Sequence, residues 1–281
     1  MKLVRYGEPG LEQPGLIGPG GEIFDLSRVV EDIQPTMLAD AALARVAGVD
    51  LADLKPVEGN PRLGPPVAQV GKIVCVGLNY ADHAAEVGSA LPKEPSIFLK
   101  ATSALCGPTD PILRPRGSQK LDYEVELAVV FGREARYVDE ADALDYVAGF
   151  VLMNDVSERE FQLERGGGPT KGKSADSFAP LGPWLVTRDE IADSGNLRAW
   201  TKVNGETRQD SSTAQLVFSV PKLIAELSRF MSFRPGDILS TGTPAGVGHG
   251  HKPPRYLQPG DVVEMGIDGL GVQKHTVVQA E

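Results

Sequence analysis

Apolar and polar residues change their spacing along this chain, and each change marks an element. Leu3–Tyr6, Gly15–Ile17 and Glu22–Leu26 are short runs around the turn Gly18-Pro19-Gly20-Gly21, and they predict strands. A short helix is predicted over Met37–Ala47, stopped by Gly48. Pro56–Pro66 reads as a linker because Gly59-Asn60-Pro61 and Gly64-Pro65-Pro66 interrupt any regular pattern. Beyond Gly71 the apolar runs lengthen, and Lys72–Gly77, Asp122–Val130 and Val147–Asn154 predict buried strands. Pro221–Met231 sets Leu223, Ile224, Leu227, Phe230 and Met231 at helical spacing, with Ser219 available as a cap. Val262–Ile267, the Asp268-Gly269 turn and Leu270–Val278 predict a β-hairpin. Strands outnumber helices. The expected fold class is α+β, mostly β, with a small N-terminal α+β domain over residues 1–65 and a catalytic domain over residues 66–281.

Composition narrows the functional classes. Of 281 residues, 41% are hydrophobic and 23% charged, the balance of a soluble globular protein. The longest apolar stretch, Val147–Met153, falls far short of the ~20 residues a membrane-spanning helix needs, so no membrane partner is expected. Met1–Gly7 carries neither a secretory nor a transit pattern, and the expected location is cytoplasmic. Two cysteines, Cys75 and Cys106, do not make a disulfide framework. A net charge of −10 argues against a nucleic-acid partner but leaves a small-molecule substrate open, since a local site can be cationic, above all around a metal.

Asp122-Tyr123-Glu124-Val125-Glu126-Leu127 carries the most chemical information. Along a strand Asp122, Glu124 and Glu126 share one face, successive members ~6.5–7 Å apart. Like charges at that distance repel by roughly 2–2.5 kcal/mol at an effective dielectric of 20, so solvent, a basic partner or a divalent cation has to offset them. An ordinary solvated strand face would show the same pattern. A third acid, Asp155, ends the run Val147–Asn154 and would complete an all-oxygen site, which suits Mg²⁺, Mn²⁺ or Ca²⁺ and not zinc. Ser157-Glu158-Arg159-Glu160 reads as a capping box opening a short helix that Gly166-Gly167-Gly168 stops.

Asn79–Gly88 reads as a two-turn helix capped by Asn79, with His83 and Glu86 on one face. A carboxylate beside a histidine orients the ring and raises its basicity, as a water-activating base requires, although a surface pair would look the same. His249, His251 and His275 have no such neighbour in sequence and read as structural or exposed. Gly167–Ser174 satisfies the phosphate-loop pattern G-x-x-x-x-G-K-S. A polar helix precedes it, Pro169 removes one backbone N–H, and Phe178–Pro183 cannot continue a helix, so the phosphate reading is set aside. Lys173 in that loop can still reach a substrate carboxylate or a developing enolate.

In order and spacing, several segments together resemble the fumarylacetoacetate hydrolase family. They are Val76–Tyr80 with His83 and Glu86, Asp122–Glu126, Asn154–Ser157, Lys173-Ser174, Asp176–Pro183, Val203–Gly205 and Thr241–Gly248, and the match runs from about Gly71 to the end. The resemblance implies a mixed β-roll catalytic domain, often in a homodimer. It also implies Mg²⁺ or Mn²⁺ held at Glu124, Glu126 and Asp155, with His83, Glu86 and Lys173 as catalytic residues. Gln162, Thr243 and the less distinctive Arg159 would contact substrate, and the segment bearing His83 and Glu86 would be a lid. Within the family the chain is similar to hydrolases of L-fucose and L-rhamnose breakdown, through Gly59–Gly64, Ser157–Arg159, Phe161-Gln162, Gly182–Trp184 and Lys252–Leu257. It departs from them at Gly166–Pro169. The implied reaction is cleavage of the C3–C4 bond of 2,4-diketo-3-deoxy-L-fuconate or L-rhamnonate to pyruvate and L-lactate. Oxaloacetate decarboxylation, dehydration of a 2-keto-3-deoxy sugar acid and a catalytically silent metal-binding protein are the alternatives.

Overall fold

The computed structural model describes residues 1–281. Its centre is set by two strands whose residues are buried without exception, Val125–Phe131 and Val147–Asn154. Continuous apolar runs of this kind are stable only when both faces of a sheet are covered. They pair antiparallel, Val125 opposite Asn154 and Glu126 opposite Met153. Ile238–Ser240, Ile73–Gly77 and the edge strand Ser96–Lys100 extend the sheet on one side. Leu185–Thr187, Lys2–Tyr6, Gln13–Ile17, Ile23–Asp25 and Lys55–Pro56 extend it on the other. A second, five-stranded sheet runs Glu206–Ser212, Arg198–Val203, Val262–Ile267, Gly271–Gln279 and Ile112–Arg114. The α+β, mostly β expectation holds, and so does the hairpin Val262–Ile267 to Gly271–Gln279.

Residues 1–65 continue the sheet at one end. Lys2 and Leu3 pair with Val186 and Leu185, and Leu3, Leu16 and Leu26 belong to the same apolar cluster as Val125 and Phe131. The stretch expected to be a linker is pinned. Leu63–Gly64 pairs with Arg5 and Tyr6, and Arg62 donates to Asp110 (2.7 and 2.6 Å) and to Glu12 (3.1 Å).

Four local expectations need correction. The helix Met37–Ala47 is a 3₁₀ turn, Pro35–Met37, and then a helix Asp40–Ala47, because Ala39 between them is extended. The helix from Pro221 ends at Leu227, and Phe230, assigned to its apolar face, is 70% exposed. Asn79 does not cap its helix, Ala81–Glu86. Its side chain instead joins two other segments, donating to Phe218 O and Thr241 O and accepting from Phe218 N. Finally, Asp122–Val130 is not one strand. Leu121–Asp122 pairs with Ser157–Glu158, and Val125 starts the central strand. At the break side chains replace ladder bonds: Asp122 accepts from Gly248 N and His249 N, and Asn154 Oδ1 accepts from Glu124 N.

Candidate active site

The break before Val125 leaves Asp122 outside the closest group of acids, although Arg159 still links it to Glu124. One oxygen from each of Glu124, Glu126 and Asp155 lies within 4.8 Å of the others, and all three residues are buried. The solvated-face alternative is thereby excluded. Asp155 follows the last residue of Val147–Asn154, and its N–H donates to Glu124 O at 2.9 Å, which locks the two acids across the strand pair.

Three cations meet four carboxylates here. Arg159 bridges Asp122 (2.8 Å) and Glu124 (2.5 Å). Lys173 Nζ donates to Glu124 Oε2 (2.8 Å) and Asp155 Oδ2 (2.7 Å), and also lies 5.1 Å from the centre of the Phe98 ring. Lys100, with no exposed side-chain surface, pairs with Asp155 Oδ1 and donates to Val156 O at 3.1 Å. Glu126 has no cation in contact. Both of its protein hydrogen bonds, from Ser240 Oγ (2.5 Å) and Gly242 N (3.1 Å), fall on Oε2.

The titration behaviour follows from these contacts. Burial alone would raise the Glu124 carboxyl, but Lys173 and Arg159 outweigh it and hold the group at about 2. For Glu126 burial raises the carboxyl well above its ordinary range, and Asp155 and Glu124 raise it further. Burial pushes the Lys100 ammonium down, against the pull of Asp155. One uncompensated acid in a buried set of oxygen donors is the condition a hard divalent cation relieves. The residues therefore fit Mg²⁺ or Mn²⁺.

The other half of the site is the helix Ala81–Glu86. His83 Nδ1 lies 2.9 Å from Glu86 Oε2, as the i, i+3 spacing predicts. Glu86 Oε1 accepts from Gly246 N (2.9 Å), and Asp82 Oδ2 accepts from Ser211 Oγ (2.5 Å). Burial acts to raise the Glu86 carboxyl, but these bonds from His83 and Gly246 bring it below its ordinary value. Since Gly242 N holds Glu126 and Gly246 N holds Glu86, the segment Gly242–Gly246 ties the two halves together.

The remaining expected contacts divide. Gln162 is joined to the cluster through Arg159 (Nη1 to Oε1, 3.1 Å), so Arg159 organises carboxylates and Gln162 together. Thr243 Oγ1 is engaged within the fold, donating to Val125 O (3.0 Å) and accepting from Gln209 Nε2 (2.9 Å). Glu158, not Ser157, caps the helix Arg159–Leu163, through Phe161 N at 2.7 Å. Lys173 ends the five-residue helix Pro169–Lys173. A Cβ on Gly172 of that turn would stand 2.5 Å from Gln162 Cβ, so this glycine of the G-x-x-x-x-G-K-S pattern serves close packing. Of the histidines read as structural, His275 is fully buried and bonded to Asp110 O at 2.7 Å. Sequence reasoning missed Lys100. The available signal was a lysine closing the apolar run Ile97-Phe98-Leu99.

Known proteins are similar to this chain over its full length. A Burkholderia cenocepacia protein named "putative hydrolase" is 53% identical, over 100% of both chains. The structure of a fumarylacetoacetate hydrolase from Exiguobacterium antarcticum superposes with a TM-score of 0.88 at 37% identity, covering 100% of each chain. A maleylpyruvate hydrolase from Sphingobium sp. SYK-6, solved with manganese(II) and pyruvate, gives 0.84 at 31% identity, again over 100% of both. The family profile described as fumarylacetoacetate hydrolase C-terminal matches residues 72–278, from the strand below Lys100 through the last strand of the second sheet. On that extent of likeness, this chain belongs to the fumarylacetoacetate hydrolase family.

Proposed function

We propose that this protein hydrolyses the C3–C4 bond of a 2,4-diketo acid and releases pyruvate. The observation that carries the reading is the segment Gly242–Gly246, which fastens the buried carboxylate cluster and the His83–Glu86 pair to one backbone. Glu124, Glu126 and Asp155 would hold Mg²⁺ or Mn²⁺, which when bound supplies Lewis-acid polarisation of the keto acid. Manganese and pyruvate in the Sphingobium maleylpyruvate hydrolase support both the cation and the product.

The chain's own groups perform the rest. With Nδ1 held against Glu86, His83 presents Nε2 to water and takes its proton as the oxygen adds to C4. The C3–C4 electron pair leaves with the pyruvate portion as an enolate, whose negative charge the buried Lys173 ammonium would stabilise. His83 returns the proton to C3, so one water is consumed and two acids are formed. The sequence resemblance points to an acyl part derived from 2,4-diketo-3-deoxy-L-rhamnonate or L-fuconate, with L-lactate as second product.

Turnover of acetylpyruvate with and without Mg²⁺ or Mn²⁺, followed as loss of enol absorbance and formation of pyruvate, tests the chemistry. Metal-dependent pyruvate release is the expected result. Failure there combined with turnover of oxaloacetate would replace hydrolysis by decarboxylation.

A further inference from the structure

Asp155 is gripped by two lysines, one on each carboxylate oxygen, and the two lysines are held very differently. Lys100 ends the edge strand Ser96–Lys100, lies opposite Ile73 in the ladder, has no exposed side-chain surface, and keeps a second bond to Val156 O at 3.1 Å. Its place is set by the strand ladder and the Val156 carbonyl as well as by Asp155. Lys173 ends a five-residue helix that follows three glycines with positive φ, and both of its hydrogen bonds go to carboxylates of the cluster, Glu124 and Asp155. Those are two of the three carboxylates a divalent cation would also use.

We infer that Lys100 is the positioning residue that holds Asp155 for the metal, while Lys173 competes with the metal for the same carboxylates and is released toward substrate when the metal binds. This rests on the metal-dependent reading given above. Simple repulsion between like charges would make loss of either lysine tighten metal binding. Division of labour gives opposite signs. Without Lys100, Asp155 loses its fixed partner and turns fully onto Lys173, so binding weakens. Without Lys173, Glu124 and Asp155 are left free, so binding tightens.

The test is Mn²⁺ titration of the purified protein by calorimetry or electron paramagnetic resonance, in wild type, Lys100→Met, Lys173→Met and the double variant. Lys100→Met is expected to weaken Mn²⁺ binding about 10- to 100-fold, the usual consequence of removing a group that orients a ligand. Lys173→Met should tighten it, and the double variant should recover part of the loss because nothing recaptures Asp155. A general loss of structure would not produce recovery in the double variant. Lys100→Met binding as well as or better than wild type would overturn the inference. So would Lys173→Met binding more weakly than wild type, a result that holds even if Lys100→Met fails to fold. Wild type that does not bind Mn²⁺ would remove the metal reading itself, and this inference with it. Wild type that binds while the lysine variants lack the opposite signs would remove only the inference.

Discussion

Glu124, Glu126 and Asp155 stand on or beside the two most deeply buried strands of the molecule, whereas His83 and Glu86 stand on a six-residue helix with side chains 13% and 18% exposed. The first group is fixed by sheet pairing and by the buried partners Lys100 and Arg159. The second is fixed by a few polar bonds to Gly246 and Ser211. The difference separates two tasks. Concentrated charge needs a framework that will not relax, while a group that exchanges protons with water needs access to it.

That contrast can be broken from either side. Asp155→Ala should have the largest effect on the fold, since it leaves Lys100 without its carboxylate partner and Lys173 with one fewer; a loss of about 3–5 kcal/mol is expected in denaturant unfolding. His83→Ala should act in the opposite manner, cutting kcat by roughly 10²–10⁴-fold with little change in stability or in Mn²⁺ affinity. A His83→Ala variant that lost its metal would show that the two halves are not separate. Gly172→Ala tests the packing between them and the substrate end. It should cost about 1–3 kcal/mol and lower turnover more than metal binding, since Gln162 or the helix of Lys173 must shift. The smallest effect concerns acid. The Glu86 carboxyl lies below its ordinary value in the folded protein, so its contribution to stability is present above the unfolded value near ~4.3 and is lost as pH falls through the folded value. The melting-temperature difference between wild type and Glu86→Gln should therefore be visible at neutral pH and close below about pH 4.3.

Contacts that depend on local spacing were readable in the sequence. The i, i+3 pair His83–Glu86 needs only the geometry of one helix, and Glu124 and Glu126 lie two residues apart across the start of one strand. Partners contributed from distant segments were not readable. Lys100 reaches Asp155 across 55 positions, and Asp122 is taken up by N–H groups of Gly248 and His249 from 126 and 127 positions away. The same holds for Asn79, whose place at a helix start suggested a cap until Phe218 and Thr241 claimed its side chain. Continuous apolar runs showed which strands are central, but not that residues 1–65 would extend the same sheet, because strand order is decided by contacts no single segment encodes.

The close approach at Gly172 has a mechanical consequence. With Gln162 Cβ only 2.5 Å from where a side chain would begin, the turn carrying Lys173 and the helix carrying Gln162 and Arg159 pack with no room between them. A displacement of the turn that carries Lys173 toward Gln162 would therefore meet the helix that also carries Arg159.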